Sequence, residues 1–198
     1  MAKPLTTTSY ALLGLLRLKP WTTYELAKQA QRSLEWFWPR AERKLYEEPK
    51  NLVASGLATA TEEHTGNRPR TVYAITPAGR KALRGWLAQK AEPPSFEFEA
   101  MVKVFFADGG TLDQLRATLV DVEDNARARV DHLRAMIDQA HSADYEFTDR
   151  WPINALGLRF ELDHETHIAE WAAWAREQIT TWRTPTDAST WDWEAALR

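Results

Sequence analysis

The chain has 198 residues, 44% of them hydrophobic and 27% charged, with 8 glycines and 10 prolines, so it holds apolar material for one large or two small domains and no low-complexity tract. It has no cysteine. That excludes a disulfide scaffold, a thiol nucleophile and every thiolate zinc site, and it fits a reducing, cytoplasmic compartment.

The net charge of −3 conceals a division: residues 1–90 hold 15 Lys/Arg against 7 Asp/Glu, while residues 91–198 hold 10 against 21. Such asymmetry points to a basic half that meets a polyanion and an acidic half with another task, two solvated surfaces of opposite sign being the alternative. The apolar run Tyr10–Leu16 is too short to span a bilayer and lacks the flanks of a signal peptide, so neither is expected. Glu92-Pro93-Pro94-Ser95 marks the junction, because consecutive prolines lack amide donors and disfavour helix before them. Two domains are predicted, 1–90 and 91–198.

In the basic half, Thr6 to Arg17 reads as a mostly buried helix ended by Lys19-Pro20. Thr22 with Glu25 forms a capping box for a second helix to about Arg32. A third is predicted from Pro39, a residue suited to the first helical position, to Ser55, with Gly56 as terminator and a kink at Pro49. Leu57–Glu63 and Arg70–Ile75 read as strands joined by a basic loop, His64 to Pro69, and Thr76-Pro77 starts a fourth helix to about Gln89.

The acidic half reads as helices throughout. Glu97–Ala107 is short and apolar, and Thr111 to Gln114 resembles another capping box. Behind it Leu112, Leu115, Leu119, Val122, Ala126, Val130, Leu133 and Ile137 recur at coiled-coil-like intervals. The last helix, Ile153–Trp182, carries Leu156, Phe160, Trp171, Trp174 and Ile179. Neither long stripe can be buried alone, so packing two helices of one subunit against those of another is the expected solution.

Three helices followed by a two-stranded hairpin is the order of a winged helix-turn-helix, whose third helix enters the DNA major groove. The third helix here carries Arg40, Arg43, Lys44, Lys50 and Asn51, donors suited to phosphates and base edges, and the hairpin adds His64, Asn67, Arg68 and Arg70. Arg43 and Lys44 stand beside Glu42, Glu47 and Glu48, so a solvated face with local ion pairs is the competing account. Tyr24 and Tyr46 read equally as core aromatics or phosphate contacts.

Ser9-Tyr10-Ala11-Leu12-Leu13-Gly14-Leu15-Leu16, Thr23-Tyr24-Glu25-Leu26, Phe37-Trp38-Pro39, Leu45-Tyr46, Gly56-Leu57 and Val72-Tyr73-Ala74-Ile75-Thr76-Pro77-Ala78-Gly79 together resemble the PadR-like transcriptional regulators over residues 5 to 90. The acidic half is similar in layout to the virulence-activator-like C-terminal helical domain of the longer members. The resemblance implies a homodimer on a near-palindromic operator in double-stranded DNA, usually a repressor released by a small, often aromatic, effector. It places the recognition helix on Arg40, Arg43, Lys44, Tyr46 and Lys50, the wing on Gly66 to Arg70, and a second-helix tyrosine at Tyr24. One departure stands out: Glu47 follows Tyr46 where the family commonly has proline, and Pro49 replaces its leucine.

Ten tryptophans are present. Trp171 and Trp174 are candidate walls for a flat ligand, with packing as the alternative, and Trp191 and Trp193 are expected to dock the C-terminus. Glu161, His164 and His167 share one helical face and raise a metal site as a temptation, but lack a third firm ligand type, so no metal site is assigned. With no glycine-rich phosphate loop and no nucleophile motif, neither catalysis nor a cofactor is expected. The expected fold is therefore mainly α, a winged helix-turn-helix followed by an antiparallel long-helix dimerisation domain. A protein-interaction adaptor and a small metal-dependent enzyme using His164 and His167 are the competing functions.

Overall fold

A computed structural model describes residues 4–34, 37–38, 42–65, 68–140, 147–187 and 189–196. The chain divides into two compact units, Met1–Pro93 and Pro94–Arg198.

The first unit opens with α1, Thr7–Leu18, capped by reciprocal hydrogen bonds in which the Ser9 amide donates to Thr6 Oγ1 (3.3 Å) and the Thr6 amide donates to Ser9 Oγ (2.9 Å). Its buried residues Leu12, Leu13, Leu15 and Leu16 leave little polar face, so α1 is the centre of this core. A two-residue strand, β1 (Trp21–Thr22), follows. Then α2, Thr23–Leu34, starts at the predicted box: Thr22 donates to Glu25 Oε2 through its amide (3.0 Å) and its hydroxyl (2.7 Å), and the Glu25 amide donates back to Thr22 Oγ1 (3.2 Å). Strand β1 was not expected, because two residues show no period; its partners are Tyr73 and Val72.

Helix α3 covers Glu42–Ala54. The predicted start at Pro39 lies outside the described residues. The helix runs as one segment through Pro49, which is fully buried. Leu45, Pro49 and Leu52 fall four and three residues apart on one buried face, and burial of that face offsets the amide lost at proline. The end is a Schellman motif: Gly56 has φ 70°, its amide donates to the Val53 carbonyl (2.9 Å), and the Leu57 amide reaches the Leu52 carbonyl (2.9 Å).

Strands β2 (Ala58–Thr65) and β3 (Arg68–Ile75) pair antiparallel from Ala58↔Ile75 to Thr65↔Arg68, with β1 on the other side of β3. The hairpin is longer than expected, and His64, Arg68 and Pro69 belong to strands, not to a loop, because the ladder continues almost to the tip. Helix α4, Pro77–Leu87, is capped by Thr76, whose Oγ1 accepts from the Gly79 amide (3.0 Å), and Trp86 stacks on Tyr10 at 4.9 Å.

The second unit contains α5 (Glu99–Phe105), α6 (Leu112–Ala140), α7 (Trp151–Gln178) and a short α8 (Trp193–Ala196). The Thr111–Gln114 box caps α6, the Thr111 amide donating to Gln114 Oε1 (2.8 Å) and the Gln114 amide to Thr111 Oγ1 (3.2 Å). Helices α6 and α7 run antiparallel: Leu112, Leu115 and Leu119 pack with Ala175 and Ile179, and Arg129 pairs with Glu165 at 2.7 Å further along. Trp182 and Trp191 meet edge to face at 5.8 Å, which ties the end of the chain to this unit.

The α6 stripe is buried from Leu112 to Leu133 within a single chain, which corrects the expectation that a monomer leaves it wet. What α7 turns towards α6 is also different from expectation. Its buried residues are Glu161, Glu165, Ala169, Ala172 and Ala175, a narrow small-residue face that lets the helices approach, while Ile153, Leu156 and Phe160 stay exposed. On α6, buried Glu123 takes Arg127 at 2.6 Å and Arg176 of α7, and the Arg176 guanidinium, with Arg127 behind it, holds its carboxyl below the usual range.

Glu161 is the counter-example. Its side chain is buried, its Oε1 has no hydrogen-bond partner among the described residues, and desolvation pushes its pKa up, opposed by His164 and Arg129. An acid whose folded pKa lies above its unfolded value stabilises the fold most below the unfolded pKa, and that stability is lost as pH rises through the folded pKa. Glu161→Gln, neutral throughout, is therefore expected to unfold like the parent at about pH 4 and to be more stable than the parent near pH 8. Denaturant midpoints at the two pH values check this; a constant offset between the proteins would refute it.

Candidate nucleic-acid interface

The exposed face of α3 is set by what holds its other side. Leu45, Pro49 and Leu52 are buried, and a polar clamp adds orientation. The fully buried Ser9 of α1 donates its hydroxyl to Glu48 Oε1, while Asn51 Nδ2 donates to Glu48 Oε2 at 3.0 Å. Both oxygens of Glu48 are thus occupied inside the unit, and its charge does not face outward with the lysines.

Outward, Arg43, Glu47, Lys50 and Ala54 are all exposed and stand four and three residues apart, one stripe along the helix, with Lys44 exposed to one side and Tyr46 half-buried. Arg43 is 86% exposed and its Nε donates to Glu47 Oε1 at 2.7 Å. Arg40 lies outside the described residues. An α-helix of this width fits a major groove, and these side chains offer the donors that phosphates and base edges accept.

On the hairpin, Arg70 stands directly across from Glu63 and donates to its Oε2 at 2.7 Å, both side chains nearly half exposed. The wing arginine therefore has a cross-strand partner, which the sequence, without the register of the two strands, did not show. Asn67 lies outside the described residues, and Arg68 is the first residue of β3. Tyr24 projects from α2 at 63% exposure with Lys28 Nζ 5.9 Å from its ring, so it is not a core aromatic.

The other candidates belong to the second unit. Trp171 packs against the Leu112–Ile179 cluster, whereas Trp174 is exposed. Neither lines the open apolar groove of this unit, which is built from Phe96, Phe98, Met101, Val104, Phe105 and Phe106. His164 lies between Phe96 (5.5 Å, edge-on) and Phe160 (6.1 Å, stacked), an aromatic setting that accounts for it without a metal. Among the described residues no group of acidic or histidine side chains could hold a metal ion, and no helix is long and apolar enough to cross a membrane.

Residues 12–85 match the model of the transcriptional regulator PadR-like family, and residues 99–180 match that of the virulence activator alpha C-terminal domain. Neither match reaches half of the chain, and together they make it similar to a PadR-like regulator with a virulence-activator-type C-terminal domain. It is 29% identical over 99 residues to the negative transcriptional regulator PadR of Bacillus subtilis, a match covering 49% of this chain and 54% of that protein. The chain spans about half the length of the curated relatives it matches. Its fold is that of B. subtilis PadR solved with operator DNA, at a TM-score of 0.76 and 22% identity over 88% of this chain and 99% of that one. The same protein solved with p-coumaric acid superposes at 0.69, with 21% identity over 88% and 99%. The fold is thus a PadR-like winged helix with long C-terminal helices, and the family and the relatives are described as transcriptional regulators, not enzymes.

Proposed function

We propose that this PadR-like chain is a DNA-binding transcriptional regulator that acts as a homodimer on a near-palindromic operator and represses until a small aromatic effector releases it. The observation that carries the reading is the exposed stripe of α3, where Arg43, Lys44 and Lys50 are presented by a helix whose opposite face is locked to α1. Tyr24 on α2 and Arg70 on the wing add phosphate contacts on the same unit, as do Tyr46 and, on the sequence reading, Arg40, Asn51, Asn67 and Arg68. Asn51 would have to leave Glu48 to take part.

Two further observations support the finer statements. In the C-terminal unit Ile153, Leu156 and Phe160 are each more than 60% exposed along one side of α7, an apolar face that a second copy would cover. For the effector, the relative's complex with p-coumaric acid is the precedent, and Trp174 rather than Trp171 is the tryptophan with an exposed face to offer.

Binding of the full chain to duplex DNA from upstream of its own coding region, measured against salt, tests the reading. Neutralised phosphates make log K fall steeply with log salt. Arg70→Ala should weaken binding to every duplex alike and reduce the slope by about one unit. Absence of binding at low salt would end the proposal and favour an adaptor whose winged helix does not bind DNA.

A further inference from the structure

The Arg43–Glu47 pair lies in the middle of the stripe assigned to DNA, and any role for the pair in recognition rests on that assignment. A carboxylate there opposes phosphates. The pair with Arg43 adds little to folding, because both side chains of this i,i+4 pair are well exposed, at 86% and 56%. The geometry of the bond gives it another use. Glu47 Oε1 accepts from Arg43 Nε, the donor on the side of the guanidinium, and the two terminal nitrogens have no hydrogen bond among the described residues. Arg43 is thus held with its end-on fork pointing away from the helix partner.

In the major groove guanine presents O6 and N7 side by side, and the arginine fork matches that pair of acceptors with two parallel bonds. An unrestrained arginine at 86% exposure takes phosphates and bases alike. We propose that Glu47 is a positioning residue that fixes Arg43 for guanine, so that the two side chains together read one G·C pair of the operator. Glu47 lowers affinity for all duplexes through its charge and raises discrimination through Arg43. Pro49 and Leu45 keep this stripe outward by occupying the opposite face.

Selection of the full chain on a pool of randomised duplexes, followed by sequencing, tests this without knowledge of the operator. The unmodified chain is expected to enrich a guanine at one position of each half-site. That preference should fall about tenfold in Arg43→Ala and about twofold in Glu47→Ala, the size an exposed i,i+4 pair can supply. The double variant should be no worse than Arg43→Ala alone, Glu47→Gln, which still accepts a hydrogen bond, should keep most of the preference, and Glu47→Ala should bind an unselected duplex more tightly than its parent. Unchanged base preferences in Glu47→Ala would overturn the inference and leave Glu47 a bystander charge. If Glu47→Ala proves unfolded, the near-isosteric Glu47→Gln decides: a preference lost in that variant alongside intact folding refutes a role through hydrogen bonding. Failure of the unmodified chain to retain any duplex at low salt would instead remove the DNA-binding reading, and this inference with it.

Discussion

Gly79→Ala is expected to cost the N-terminal unit about 3 kcal/mol or more, while Gly85→Ala in the same helix is expected to stabilise it by about 1 kcal/mol. A Cβ at Gly79 would sit 2.1 Å from the Leu57 carbonyl oxygen and 2.9 Å from Ile75 Cγ1, whereas one at Gly85 meets nothing within 4 Å. The obstructing atom cannot swing aside as a side-chain tip would. The Leu57 carbonyl accepts from the Thr76 amide at 3.1 Å, and the Thr76 hydroxyl in turn donates to the Gly56 carbonyl at 2.8 Å. Relief therefore requires moving the turn that ends α3 against the cap that starts α4, and through it the root of the hairpin. Unfolding midpoints of the two variants against the parent check the pair; similar shifts of one sign would show that the close approach at Gly79 is not limiting.

That junction shows how much was legible in the residues alone. The caps at Thr22, Thr76 and Thr111 and the terminator at Gly56 are local chemistry, written within four residues, and the helices they bound stand where that chemistry places them. Features that depend on residues far apart were not legible. Strand β1 exists because Trp21 finds Tyr73 across the sheet, and Glu48 turns inward because Ser9, 39 residues earlier, awaits it. Pro49 is of the same kind: proline's local cost is visible in sequence, but the buried face it joins is not.

The candidate interface divides along the same line. Cationic residues on the third helix could be picked out by type, and Arg43, Lys44 and Lys50 are exposed on it. Their pairing state could not, since nothing in the sequence set Arg70 across from Glu63 until the ladder fixed the register. In α7, large aromatic side chains drew attention to the wrong face. Glu161, Glu165, Ala169, Ala172 and Ala175 have helical spacing in the sequence, but a stripe of alanine and glutamate does not announce a core.

The face that α7 leaves open leads to the second large effect. If the proposed dimer forms through this face, Ile153→Glu combined with Leu156→Glu is expected to leave a monomer and to cut affinity for the proposed operator sharply. Each side chain buried in a two-fold interface counts twice, and full burial of an aliphatic side chain is worth about 1.5–3 kcal/mol, so even half-complete burial of four makes dissociation more than a hundredfold easier, before the cost of burying carboxylates is added. The fold should survive. Ile153 and Leu156 are 61% and 75% exposed, and residue 153 falls in the first turn of α7, where a carboxylate complements the helix N-terminus. Sedimentation should then give a single-chain mass with helical content unchanged, and the salt slope on duplex DNA should drop towards half as only one basic unit remains engaged per particle. A dimer that persists would place the interface elsewhere on the chain, and a monomer that binds its operator as tightly as the parent would show that one winged unit is sufficient.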